Sequence, residues 1–185
     1  GYAIVGGRLE KVIGGGLCQV STTMYRAVFN AGLPIVERYG HTFIVNYYEN
    51  ILGFDATVFT PDVDFRWKND LPTDIYMTTF TDTAAGKVTF TLWGQNDGRK
   101  ATMEGPTITN RREPGSDVWQ YDKTLARGQV VQMVYGRPGM DVTMYRILTK
   151  ANGQVTRERF FTRYLPWEDF FLYGPGVTPP ADANV

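Results

Sequence analysis

The chain has 185 residues, 43% of them hydrophobic, with 19 basic and 19 acidic side chains and a formal net charge of zero. Balanced charge exerts no bulk pull toward nucleic acid or an anionic membrane surface, and no apolar run approaches the roughly 18–20 residues of a membrane span. One cysteine and one histidine exclude an internal disulfide and a multi-cysteine zinc site; no metal and no cofactor is expected.

The chain opens at Gly1-Tyr2 without a Met and reads as a piece of a longer protein, so the lack of a signal peptide carries no weight. Gly6-Gly7 suits a hairpin turn between strands at Tyr2–Val5 and Leu9–Ile13. After the break at Gly14–Gly16 the period turns helical from Gln19 to Ala31, with Val20, Met24, Ala27, Val28 and Ala31 on one face. Gly32 closes this helix and Pro34 prevents its continuation. A strand at Leu33–Glu37 follows.

After His41 the composition changes to β. Thr42–Tyr48 is rich in β-branched and aromatic residues and reads as a strand. A turn at Glu49–Gly53 leads to the short apolar stretch Ala56–Phe59. Asp74–Thr81 and Lys87–Trp93 flank Thr83-Ala84-Ala85-Gly86 as a hairpin, and Arg99–Asn110 adds a strand. The charged stretch Arg111–Asp117, with Pro114-Gly115-Ser116 inside it, marks a domain boundary. Beyond it, Gln129–Tyr135, Asp141–Thr149 and Gln154–Tyr164 read as strands, the last two joined at Asn152-Gly153 by a type I′ turn. Residues 177–185 read as a flexible, frayed Pro/Ala-rich tail. The expected fold is α+β: one main helix on an antiparallel sheet in residues 1–110, then a small all-β module in residues 115–176.

Gly14-Gly-Gly-Leu-Cys-Gln-Val-Ser-Thr-Thr23, Met24-Tyr25, Ala31-Gly32-Leu33, Glu37-Arg38, His41, Gly53-Phe54-Asp55-Ala56-Thr57-Val58 and Asp64-Phe65-Arg66-Trp67-Lys68-Asn69 occur in an order that resembles the VanW family, named for an accessory protein of vancomycin-resistance clusters. The resemblance covers about residues 1–108. Arg127-Gly128, Tyr135-Gly136-Arg137-Pro138-Gly139, Asn152-Gly153 and Tyr173-Gly174-Pro175-Gly176 resemble the G-five domain, a small extracellular β module. The pairing implies a secreted or membrane-tethered bacterial cell-envelope protein and a partner in peptidoglycan or a wall glycan, with any membrane contact made by regions outside this chain. It does not fix the molecular activity.

Cys18 at a helix start gains from the positive end of the helix dipole, which favours thiolate. His41 supplies an acid/base, and Asp55, with Asp62 and Asp64 as competitors, an orienting carboxylate. Cysteine on the helix, histidine on the next strand and aspartate on the strand after it is the order seen in transglutaminase-like and papain-like thiol enzymes, an analogy at the level of fold. Backbone N–H groups at Cys18 and Gln19, or the Gln19 side chain, are candidate oxyanion donors. Gly16 allows close approach of a substrate backbone, and Ser21 or Thr22 is a candidate substrate contact. The expected reaction is acyl transfer or amide hydrolysis on peptidoglycan peptides.

The alternatives stay open. Cys18 is equally readable as a small buried residue, His41 as a structural side chain, Asp55 as a turn residue and Ser21 and Thr22 as local backbone caps. Tyr47, Tyr48, Trp67, Trp93 and Trp119 are sheet-packing residues or stacking platforms for sugars. Trp167, Phe170, Phe171 and Tyr173 serve either ligand binding or interdomain packing. The second functional reading is a non-catalytic wall-binding or scaffold protein.

Overall fold

The computed structural model describes residues 2–5, 8–11 and 16–185. It is mostly β with one α-helix. Strands β1 (Tyr2–Val5) and β2 (Arg8–Lys11) pair antiparallel, Tyr2 opposite Lys11, as expected; the Gly6-Gly7 turn, Ile13 and glycines 14 and 15 lie outside the described residues. Helix α1 spans Leu17–Asn30. Strand β3 (Ile35–Glu37) pairs antiparallel with β4 (Arg66–Trp67). Strands β5 (Tyr76–Asp82) and β6 (Lys87–Trp93) form the expected hairpin, Tyr76 opposite Trp93.

Three long strands carry the core. They are β7 (Lys100–Arg112), β10 (Gly139–Thr149) and β11 (Val155–Tyr164), in the antiparallel order β11-β10-β7. A second sheet joins β8 (Val118–Tyr121), β12 (Phe170–Tyr173) and β9 (Val130–Val134) in the order β8-β12-β9, with β8 and β12 parallel. Its aromatics pack on one another: Trp119 stacks on Phe171 at 4.8 Å, and Tyr121 meets Tyr173 edge-on. Trp167 lies against Phe43, far back in the chain, at 4.6 Å. Neither β8 nor β12 is evident in the sequence, since four-residue strands carry little periodicity.

Tyr25, Phe29, Phe54, Ala56 and Met144 form the main buried cluster, flanked by Ile35, Phe65, Met103 and Phe160. The helix therefore packs on a sheet whose strands lie on both sides of residues 111–117, and the core is continuous across that stretch. The helix face differs from its apolar periodicity. Buried positions are Ser21, Thr22, Tyr25, Val28 and Phe29, while Val20 is exposed. The two aromatic rings, one turn apart, present more area than the Val-Met-Ala stripe and turn the helix toward themselves.

Thr42–Tyr48 is not a strand. Val45 caps a 3-10 helix at Asn46–Ile51, and Ile44 drops into a second buried cluster with Met140, Val142 and Tyr164. Burial of Ile44 takes precedence over β propensity here. The Asn152-Gly153 turn is also a residue longer than type I′. The Gly153 N–H donates to the Lys150 carbonyl at 2.9 Å and Gly153 alone takes a positive φ, so a type I turn is followed by a glycine bulge.

The end of α1 follows its sequence signals. Gly32 has φ +69, its N–H donates to Phe29 O, and Leu33 N–H donates to Val28 O, a Schellman closure. A Cβ at Gly32 would lie 2.7 Å from Leu148 Cδ1. The guanidinium of Arg146, buried on β10, donates to the Phe29 and Leu33 carbonyls, and Arg99 donates to the Gly32 carbonyl. Gly32→Ala is expected to lower the unfolding free energy by about 1–3 kcal/mol through left-handed strain and the Leu148 clash. A lowered denaturant midpoint with unchanged slope checks this.

Candidate functional site

Cys18 is the second residue of α1. Its N-cap, Gly16, lies in the left-handed region, and the first turn holds no acidic residue. The positive end of the helix dipole therefore reaches the thiol without a compensating carboxylate. Gln19 N–H and Val20 N–H both donate to the Gly16 carbonyl, at 3.0 and 3.1 Å. This engages the Gln19 backbone amide and corrects its reading as an oxyanion donor. The Cys18 N–H and the exposed Gln19 side chain are left as candidates.

The half-buried Cys18 Sγ lies 3.3 Å from Thr57 Oγ1 and 3.7 Å from the Val58 carbonyl. His41 Nδ1 lies 2.6 Å from Asp55 Oδ2, and the His41 backbone N–H donates to the same oxygen at 2.7 Å. The imidazole tilts against Tyr48, centroids 5.4 Å apart, and lies near enough to Cys18 for each to shift the other's protonation. With Nδ1 held by Asp55, Nε2 is the nitrogen left for the thiol. His41 and Asp55 thus meet directly, and Cys18 lies in their electrostatic neighbourhood.

They do not stand on the expected strands. His41 follows an isolated bridge at Tyr39, and Asp55 sits just before its partner, Thr57. Side-chain bonds take the place of a ladder there. Thr22 Oγ1 donates to the Ala56 carbonyl and accepts from the Ala56 N–H, at 3.1 and 3.0 Å. Arg38 Nε donates to the Asp55 carbonyl at 2.6 Å and Arg38 Nη2 to the Gly53 carbonyl at 2.7 Å.

Asp55 is 1% exposed. Besides His41, its carboxylate accepts from Tyr164 Oη at 2.7 Å and from Arg38 Nη2 at 3.4 Å. Asp62 is exposed and Asp64 pairs with Arg66, so neither orients His41. Thr22, 2% exposed, has its hydroxyl committed to Ala56, and Ser21 is buried too. Neither sits where a substrate from solvent would meet it, in contrast to the exposed Gly16 and Gln19. Among the described residues no three of His, Cys, Asp and Glu gather as a metal site, and no helix is long and apolar enough to cross a membrane.

The charges agree with the geometry. Burial pushes the Cys18 thiol up, but hydrogen bonding to Thr57 and the neighbouring His41 bring it below its ordinary value. Burial works against His41 protonation, and the Asp55 carboxylate, with Cys18, overcomes it and raises the imidazole above its ordinary 6.5. Burial likewise opposes Asp55 ionisation. Bonds from His41, the Arg38 charge and the Tyr164 hydroxyl keep it below its ordinary 3.8.

Three contributors were not assigned roles from sequence. Arg38 and Thr57 lie inside quoted motifs, whose residue types alone did not define their partners. Tyr164, 109 residues from Asp55, carries no local signal.

Asp55→Asn is expected to drop the His41 pKa to 6.5 or below, because burial remains while the anion is lost; an NMR titration of the only histidine reads it directly. In the parent protein, the stability from the raised His41 is full below about pH 6.5 and is lost as pH rises through its folded pKa. The part from the lowered Asp55 is present above about pH 3.9 and is lost as pH falls through its folded pKa. Thermal unfolding across pH is expected to show both edges.

Residues 1–93 match the sequence pattern of the family described as VanW like protein. Over 66 residues the chain is 52% identical to the protein YoaR of Bacillus subtilis, covering 36% of this chain and 21% of that protein. It is 32% identical over 73 residues to the vancomycin B-type resistance protein VanW of Enterococcus faecalis, covering 38% of this chain and 26% of that one. The chain thus matches only a fifth to a quarter of the length of these curated relatives. Among solved structures it is similar to the G5 domain of IgA1 protease, at 19% identity and a TM-score of 0.25, covering 44% of this chain and 96% of that one. It is similar also to HP0197-G5, at 17% identity and a TM-score of 0.21, covering 41% and 97%. With the family pattern spanning half of its length, the chain belongs to the VanW like protein family.

Proposed function

We propose that Cys18, His41 and Asp55 form a thiol site for acyl transfer or amide hydrolysis on peptide stems of the bacterial cell wall. The supporting observation is one imidazole that contacts a buried carboxylate at 2.6 Å through Nδ1, beside a helix-start thiol whose protonation is linked to it. Family membership and the vancomycin-resistance relative support a cell-wall context, and we extend that to an extracytoplasmic location and a peptidoglycan partner. The shared feature with transglutaminase-like enzymes is the order of the three residues.

In this mechanism the Cys18 thiolate attacks the amide carbonyl carbon. The oxyanion accepts from the Cys18 N–H and the Gln19 side chain. The C–N bond breaks as His41 gives its proton to the leaving amine, leaving a thioester on Cys18. Water or a second amine then attacks the thioester. Neutral His41 takes the attacking group's proton, and the thiolate leaves. Asp55 stabilises the imidazolium throughout without being protonated.

A second reading, a wall-binding module, is favoured by the outer face of the β5–β6 hairpin. There Tyr76, Phe80 and Trp93 are 70%, 66% and 58% exposed and alternate with threonines on the same side.

The pH dependence of Cys18 alkylation separates the two. The thiol site is expected to react quickly below pH 7 and to lose that reactivity in His41→Ala. Slow reaction in both proteins until denaturant is added supports the binding module. On wall peptides, Cys18→Ala is expected to abolish turnover and His41→Ala to cost about 10²–10⁴-fold.

A further inference from the structure

The Asp55 carboxylate is completed by a residue of the last long strand. Tyr164 is 3% exposed. Its hydroxyl donates to Asp55 Oδ1 at 2.7 Å and accepts from the Gly53 N–H at 3.0 Å. The hydroxyl is thus engaged in both directions. Arg38 Nη2, the other donor to Oδ1, stands off at 3.4 Å, which makes Tyr164 the short contact on that oxygen. The terminal torsion of an aspartate is broad and does not hold a plane by itself. With Oδ1 tied to Tyr164, Oδ2 faces the two N–H groups of His41.

β11 grips the same loops at neighbouring positions. Arg38 Nη1 donates to Thr162 Oγ1 at 2.8 Å. Leu165 N–H donates to the Thr42 carbonyl at 2.8 Å, one residue past His41. Gly40 passes so near β11 that a Cβ there would lie 2.5 Å from Thr162 Cγ2. The His41 loop and the Asp55 segment are therefore both seated on one strand edge that lies outside the family-matched residues 1–93.

We infer that Tyr164 is a positioning residue of the proposed Cys18–His41–Asp55 site: its hydroxyl fixes the plane of the Asp55 carboxylate and, through Asp55, the imidazole that the proposal assigns to Cys18. The inference rests on the thiol reading proposed above. The ring of Tyr164 packs with Ile44, Met140 and Val142, a role that phenylalanine fills equally well, so the hydroxyl is separable from the packing.

The test compares the parent chain with Tyr164→Phe by iodoacetamide alkylation of Cys18 across pH. The expected result is a folded variant whose rate below pH 7 falls about tenfold or more, since a misaligned imidazole no longer sustains the thiolate. At pH 10, where the thiol ionises without help, the two rates are expected to agree within about twofold. A purely structural hydroxyl would leave this split unmoved. Equal rates at both pH values would overturn the inference and leave the thiol reading standing. A parent protein with no fast reaction below pH 7 would remove the thiol reading and this inference with it. Should Tyr164→Phe not fold, 3-fluorotyrosine at position 164 keeps the ring and the hydroxyl while making the hydroxyl more acidic. A shifted low-pH limb supports the inference and an unmoved one overturns it.

Discussion

A buried carboxylate must be ionised with partners or protonated without them. Asp55 takes the first course, and much of this molecule is arranged around it. Its two oxygens collect the backbone and ring of His41, the Tyr164 hydroxyl and the Arg38 guanidinium. Each donor comes from a segment with no regular ladder near the site or from a strand late in the chain. The irregular stretch between β3 and β4 is shaped by what this carboxylate accepts, much as a metal ion shapes the loops that ligate it. Removing one donor leaves the rest of a low-dielectric network short of charge balance.

The two ends of α1 are treated differently. The carbonyls at and just past its C-terminus are met by Arg146 from β10 and by Arg99, the residue before β7, two cations at the negative end of the dipole. The Arg146 charge is answered by Glu158 across the sheet. The N-terminal end carries a glycine cap and a thiol and no acidic residue. Cations are concentrated at one end of the helix, and the field at the other is left without a compensating acidic side chain.

The sequence made the local features legible. The glycine closure at Gly32, the β5–β6 hairpin and the three long strands all carry short-range signals: a left-handed residue, a turn and alternation. The pairing of His41 with Asp55 was legible too, since one histidine and few nearby carboxylates leave little choice. Features set by distant packing were not legible. Tyr25 and Phe29 outweigh the apolar stripe of their helix because of Met144 and Phe160, which periodicity in residues 17–30 does not contain. Ile44 leaves its β-prone neighbourhood to join Met140 and Val142. Thr22 reads as a polar helix residue and turns out to stand in for a strand partner of Ala56.

Phe29 and Arg146, which meet at the end of the helix, are 117 residues apart in the chain. The helix is made before the strands that cover its aromatic face. Loop closure over such a span is slow compared with helix formation, so the helix spends that interval with Tyr25 and Phe29 uncovered. A vectorially emerging chain of this design depends on its environment to keep the face solvated or shielded until β10 and β11 arrive. The proposed thiol site, which leans on the same strands, comes into being only once β11 has been made.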